Sequence, residues 1–253
     1  MQIDRERAKS AFWAYVNGFD VQKDMIRLKV EHTFRVSELC EEIADSLGLS
    51  KEDRDLAWLI GLLHDLGRFE QQRRYGTFND ALSIDHARYG AELLFGEAES
   101  AVSIRDFVEE DSEDGLIRTA VFYHSAYRIP ENLDDRTAMF CNILRDADKI
   151  DILKVNVEFP LEEIYNVSTE VLYGEQVSPQ VMESFFEGHA VLRSLKKTAV
   201  DHVVGHISLV FELVYPKSTE IVKKQGYLEK LLHFPSKNPV TRQQFAQIRE
   251  KMK

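Results

Sequence analysis

KDMIRLKVEHTFRVSELCEEIADSLG (23–48) reads as one amphipathic helix. His32, Val36, Leu39, Ile43 and Leu47 recur at spacings of three and four, which places them on a single stripe. Gly48 stands where a left-handed helix stop belongs. The same period continues through most of the 253 residues, interrupted by only 6 prolines and 12 glycines. Alternating polar and apolar runs long enough for strands are absent. The sequence therefore predicts an all-α protein, a single domain over 1–253. Its core lies at about 20–155, with a C-terminal helical extension (about 156–253) packed on it.

Working outward, Ser50 reads as an N-cap. The helix it opens carries Leu56, Leu59, Ile60, Leu63 and His64 on one face and ends at Gly67. A polar loop is expected over 71–79, then a helix from Asp80 or Asp85 that carries His86, Gly90, Leu93 and Leu94. Residues 97–114 are acidic and expected to be exposed. Ile117, Val121 and His124 share the next helical face, and Pro130 closes that region. A long helix from about Asp135 to Val155 puts Leu144, Asp148 and Ile152 on one stripe. Beyond Pro160, helices are expected at about 179–215, at 218–232 and from Val240.

Composition narrows the functional classes. With 44% hydrophobic and 30% charged residues, the chain has the balance of a soluble globular protein. A net charge of −11 argues against a surface that tracks a phosphate backbone, so no nucleic-acid polymer is expected as partner. A small anion in a local basic pocket remains compatible with that charge. MQIDRERAKSAFWAYV (1–16) carries charges where a signal peptide needs an apolar run. No segment has the length of a membrane span, so neither membrane association nor export is expected and the location is read as cytoplasmic. Cys40 and Cys141 fall on apolar helix faces, as buried free thiols of a reducing compartment would.

Four stretches set a polar ligand on an apolar stripe: VEHTFRV (30–36), LLHDLGRFE (62–70), HARYGAELL (86–94) with VFYHSAYRIP (121–130), and ILRDADKIDIL (143–153). Burying such a group is costly unless it is paired or bound to a cation. Taken together, His32, His64, Asp65, His86, His124 and Asp148 can form one metal site. Imidazole and carboxylate suit Zn, Mn, Fe and similar ions, and a carboxylate can bridge two of them because its oxygens accept independently. Each residue alone has a plainer reading, the histidines as core residues and Asp148 as a surface acid paired with Lys149 or Arg145. His202 and His206, spaced i,i+4 without an HExxH glutamate, read as packing residues.

HT-x-RV at 32–36, LLHD-x-G at 62–67 and DADKID at 146–151 together resemble the HD superfamily of metal-dependent phosphohydrolases, over roughly Asp20 to Lys154. The resemblance implies a helical HD-type core with ligands His32, His64, Asp65 and Asp148, Asp146 being the fallback for the last. It implies one or two divalent ions, Fe or Mn favoured, with Zn, Co, Ni and Mg also admissible. His86 and His124 look like the two extra histidines of HD branches with paired metals. Those branches include cyclic-dinucleotide phosphodiesterases and diadenosine-tetraphosphate hydrolases. The chain has His124-Ser125 where the cyclic-dinucleotide branch has two adjacent histidines, and it lacks that branch's GYP signature and its lysine after HD-x-G. In this it is closer to the dinucleotide-polyphosphate type.

The implied reaction is hydrolysis of a phosphomonoester, nucleotide or dinucleotide phosphate bond by metal-activated water. Asp65 is expected to bridge, Arg68 and Lys149 to neutralise charge on the phosphoryl group, and Arg35, Arg68, Arg73 and Arg74 to bind the substrate. Tyr75, Phe78 and Tyr127 are candidates for stacking on a base. The expected partner is a small phosphorylated molecule, nucleotides included, and oligomerisation is left open. Two other readings remain: a di-iron oxygenase of HD type, and a catalytically silent module that binds metal or nucleotide for regulation.

Overall fold

The computed structural model describes residues 1–96 and 102–253, and all regular structure among the described residues is helical. The chain forms two compact units, Met1–Ala147 and Asp148–Lys253.

In the first unit, α1 (Arg5–Val16), α2 (Asp24–Ser46), α3 (Lys51–Leu63) and α4 (Leu66–Tyr75) build the framework. α2 ends as the sequence predicts: Gly48 takes φ 70°, and the Leu49 amide reaches back to the Ala44 carbonyl at 3.3 Å. The Ser50 hydroxyl accepts the Asp53 amide at 3.1 Å and starts α3. α2 and α3 approach closely because Gly61 has no side chain; a Cβ there would lie 2.6 Å from the Ser37 Cα.

In the first unit the structure departs from the expected boundaries in three places. α3 stops at Leu63 rather than at Gly67. Asp65 leaves helical geometry at φ −105° and ψ 14°, and α4 restarts at once, absorbing half of the expected loop 71–79. Gly67 is therefore a contact residue and not a stop: a Cβ on it would sit 2.2 Å from the His86 carbonyl oxygen, on the next helix α5 (His86–Phe95).

The second departure is α1, which the charge-rich N-terminus concealed. Its Phe12 packs edge-on against Phe34 at 5.3 Å and Phe69 at 6.0 Å, and the Tyr15 hydroxyl donates to the Leu66 carbonyl at 3.2 Å. The charges lie on the other side, where Arg5 holds Glu41 and Asp55, both at 2.7 Å.

The third concerns the acidic stretch 97–114. Residues 97–101 lie outside the described residues. In the remainder, Glu109, Glu110 and Asp111 are exposed as expected, but Val102, Ile104, Phe107 and Val108 are buried. The short helix α6 (Ile104–Phe107) turns those apolar residues inward and packs on α1. α7 (Asp114–Tyr123) then pairs with α5, and α8 (Asp135–Glu158) is the expected long helix.

The second unit continues from the C-terminal half of α8 through α9 (Leu161–Tyr165), α10 (Thr169–Gly174), α11 (Pro179–Glu187), α12 (Ala199–Ser208), α13 (Pro216–Gln225), α14 (Tyr227–Leu232) and α15 (Pro239–Lys251). The single helix expected over 179–215 is broken. Gly188 at φ 85° closes α11, and a capping box between Thr198 and Asp201 opens α12 afresh. No helix among the described residues is long and apolar enough to cross a membrane. Cys40 and Cys141 are buried and free, and burial pushes the Cys141 thiol up to about 11, which keeps it unreactive.

Candidate metal centre

The break between α3 and α4 makes the centre. His64 caps the C-terminal end of α3 and Asp65 the N-terminal end of α4, so two consecutive side chains turn to one side. α2 brings His32 next to them, held close by the Gly61–Ser37 contact. Gly67 lets the start of α5 approach closely enough for His86 to join. α7 ends at His124, which completes the group within the first unit. All five side chains are buried.

Asp65 lies in the middle and divides its two oxygens between two imidazole pairs. Oδ2 is 3.6 Å from His32 Nε2 and 3.5 Å from His64 Nε2. Oδ1 is 3.4 Å from His86 Nε2 and 3.6 Å from His124 Nε2. Within the pairs, the His32 and His64 Nε2 atoms are 3.3 Å apart and those of His86 and His124 are 3.0 Å apart. Donor atoms of His64, Asp65 and His124 also lie within 4.8 Å of one another across the two pairs.

The other ring nitrogens bear on whether the cluster fits a cation. The His64 Nδ1 lies 2.7 Å from the Gly61 carbonyl, and the His124 Nδ1 lies 2.7 Å from the Val121 carbonyl. A carbonyl only accepts, so each Nδ1 carries the hydrogen and each Nε2 of the neutral ring presents a lone pair. The His86 Nδ1 faces Asp80 at 2.9 Å in the same sense. Burial, then the nearby Arg68, push His86 down to about 3, so its ring is neutral at ordinary pH. Two imidazole lone pairs 3.0 Å apart repel unless they share a proton or a metal ion. Ions bonded at about 2.0–2.2 Å hold neighbouring ligand atoms about 3.0–3.5 Å apart, the separations seen on both sides of Asp65. The residues fit a divalent metal on each side.

Three further side chains frame the centre. The Lys29 ammonium pairs with Asp65 Oδ2 at 2.8 Å. Arg68 donates through Nη1 to Asp80 Oδ1 at 2.8 Å, to the Phe78 carbonyl at 2.7 Å and to Gln71 Oε1 at 2.8 Å. Its Nε is buried without a hydrogen-bond partner and points at Asp65 Oδ1 from 3.6 Å. Burial alone would raise the Asp65 carboxyl; the neighbouring Lys29, His64, His124 and Arg68 outweigh it and hold the group well below the usual carboxylate range. Asp80 is likewise held low against its burial by His86 and Arg68. Both carboxylates are therefore ionised at neutral pH.

Sequence reading did not single out Lys29 or Asp80 as site residues, and it missed a third group, Arg145 of α8. The buried Arg145 guanidinium donates to the carbonyls of Tyr123 at 3.1 Å, His124 at 3.3 Å and Tyr127 at 3.1 Å, and also to that of Ala126. It thus fixes the turn that carries His124, satisfying carbonyls a helix end leaves open. A signal existed only for Lys29, which precedes His32 by one helical turn.

The remaining expected site residues have these surroundings. Arg73 and Arg74 lie in the last turn of α4 and both pair with Glu70, Arg74 at 3.1 Å. Arg35 approaches Glu31 at 3.7 Å. Lys149 donates to the Glu212 carbonyl at 3.2 Å within the second unit. Asp146 is fully buried and Asp148 half-buried, both on α8.

Residues 30–153 match the family model of the HD domain. A 78-residue alignment is 32% identical to the 3'3'-cGAMP-specific phosphodiesterase 1 of Vibrio cholerae serotype O1 (strain ATCC 39315 / El Tor Inaba N16961); it covers 27% of this chain and 18% of that protein. The chain thus matches less than a fifth of its curated relative's length. No solved structure matches. The motifs on α2, α3–α4 and α8, the buried His/Asp cluster and the family-model match agree, and residues 30–153 of the chain are an HD domain.

Proposed function

We propose that the protein hydrolyses a phosphate bond of a nucleotide or dinucleotide at a two-ion centre bridged by Asp65. One observation carries this reading: Asp65 offers one oxygen to His32 and His64 and the other to His86 and His124. Asp148 on α8 is the further ligand that the DADKID motif implies. Divalent ions held there would supply water with a pKa lowered from 15.7 to about 7 and a Lewis acid for phosphoryl oxygens.

The chain's own groups do the rest. The Gly61 and Val121 carbonyls and Asp80 fix the tautomers of His64, His124 and His86, so that each Nε2 is ready to coordinate. Arg68 holds Asp80 in place and keeps its unpartnered Nε–H for an oxygen of the phosphate. Burial of the five central side chains excludes bulk water and strengthens each of these interactions. The nucleotide class is supported by the named substrate of the cyclic-dinucleotide relative. His124-Ser125 and Arg68, standing where that branch has a second histidine and a lysine, favour a linear dinucleotide polyphosphate over a cyclic one.

Metal analysis paired with a substrate panel tests this. Purified protein is expected to hold two equivalents of metal per chain. It should release product, under argon, from at least one of diadenosine tetraphosphate, 3'3'-cGAMP and the common nucleoside phosphates. Product formed only with oxygen present would establish the oxygenase reading instead. Full metal loading with no turnover across the panel would establish a regulatory module.

A further inference from the structure

We propose that Lys29 is the phosphate anchor of this centre, holding a non-bridging oxygen of the substrate while sharing Asp65; the proposal rests on the two-ion reading above. The Lys29 Nζ lies 2.8 Å from Asp65 Oδ2, the oxygen that also faces His32 and His64. An ammonium has three N–H donors, and the Asp65 pair is the one hydrogen bond Lys29 makes among the described residues. Two donors are thus left for a ligand. The side chain is 16% exposed, so it stands at the rim of the centre, open to an arriving molecule.

Phe78 fixes where that molecule would lie. Its ring is beneath the Lys29 ammonium at 5.4 Å and the Arg68 guanidinium at 5.8 Å. Lys29 sits on the Oδ2 side of Asp65 and the unpartnered Arg68 Nε on the Oδ1 side. The two cations therefore flank the bridging carboxylate, in position to take two oxygens of one tetrahedral phosphate. Arg68 is already fixed by Asp80, Gln71 and the Phe78 carbonyl, whereas Lys29 is held by Asp65 alone.

Sharing Asp65 gives the proposal opposite signs in two measurements. A lysine charge beside a divalent ion opposes metal binding and favours phosphate binding. In Lys29→Met, inorganic phosphate should bind the Mn²⁺-loaded protein roughly tenfold to a hundredfold more weakly, the scale of one charged hydrogen bond. Mn²⁺ itself should bind as tightly as in the wild type or a few-fold more tightly. Lys29→Arg should keep phosphate affinity within a few-fold, and turnover of an accepted substrate should show a raised KM with kcat less affected. Calorimetric titration of each protein with Mn²⁺ and then with phosphate reads both affinities, and Lys29→Gln serves if the methionine variant fails to fold. Wild-type phosphate affinity in Lys29→Met, or parallel loss of metal and phosphate, would overturn the anchor role, the second outcome making Lys29 a support for Asp65. A wild type that binds no Mn²⁺ would overturn the metal-centre reading itself, a separate result.

Discussion

Histidines occur in two helical settings in this protein, and only one is arranged to hold a metal. Around Asp65, the outer nitrogens of His64 and His124 are tied to backbone carbonyls and that of His86 to Asp80, so three lone pairs point inward. On α12, His202 and His206 have the i,i+4 spacing of a chelating pair. The His206 Nδ1 is bound to the Tyr165 hydroxyl at 3.2 Å, and among the described residues no carboxylate joins the pair in a metal-binding group. The neighbouring Asp201 accepts from the Ser178 amide and hydroxyl, both at 2.7 Å, and from the Lys197 amide at 2.8 Å. A cation stands there in place of an acid: the Lys196 side chain lies across Gly205, and its ammonium lowers the pKa of both histidines after burial has done so. What distinguishes a ligand set from a packed pair is thus the convergence of imidazoles around both oxygens of one carboxylate, and spacing along a helix does not encode it.

The largest effect that can break this contrast is removal of the bridge. Asp65→Asn is expected to lower metal content below one equivalent and to reduce hydrolysis on the order of 10³-fold or more, the scale of losing one electrostatic stabiliser. His202→Ala with His206→Ala should leave metal content unchanged. Elemental analysis of both proteins checks the pair, and metal loss in the α12 variant would erase the distinction between the two settings.

Asp80→Asn probes the outer layer of the same centre. The amide can still occupy the space but cannot accept from both His86 and Arg68 as a carboxylate does. Loss of such an orienting partner typically lowers metal affinity about 10–100-fold. The weakening is expected for one equivalent only, on the His86–His124 side, which a two-step metal titration resolves. Equal weakening of both steps would mean that Asp80 supports the whole fold and not one imidazole.

The central side chains of the cluster were more legible in the sequence than the groups around them. His32, His64, His86 and His124 were legible because each interrupts an apolar stripe, and Asp65 because it follows a histidine at a helix break. Lys29, Asp80 and Arg145 were not, since a charged residue at a rim, in a loop or among other arginines carries no local mark of what it touches. Asp80 in particular acts only after α4 and α5 fold the segment between them back on itself, and the sequence reading had a loop in place of half of α4. The same boundary error gave Gly67 the role of a helix stop, whereas its missing Cβ admits the His86 carbonyl. α1 was hidden for the opposite reason: its apolar face packs inward while its first turns carry Arg5, Glu6, Arg7 and Lys9. Arg68 was expected to meet phosphate with its whole fork. The half-buried Asp80 holds one arm of that fork, Nη1, and the buried Nε is left without a partner.

The smallest predicted effect separates the two histidine settings by pH. His86 is held down at about 3, by burial and then Arg68, and His206 well below its usual value by burial and then Lys196. Both stay neutral in the folded protein while the unfolded chain takes up protons as pH falls through about 6.5. The unfolded state then binds more protons, so stability must rise with pH and be lost on acidification. For one such histidine in metal-free protein the loss between pH 7 and pH 6 is about 0.7 kcal/mol. Urea unfolding at the two pH values should therefore show a shallower pH dependence in His86→Gln and in His206→Gln, by similar amounts. Repeating the measurement with saturating Mn²⁺ should separate them. A metal ion that prefers neutral imidazole steepens the acid loss of the wild type and of His206→Gln, whereas His86→Gln has lost the ligand through which one ion would act. If both variants respond to Mn²⁺ alike, His86 is as much a packing residue as His206, and Asp65 would then bridge nothing on that side.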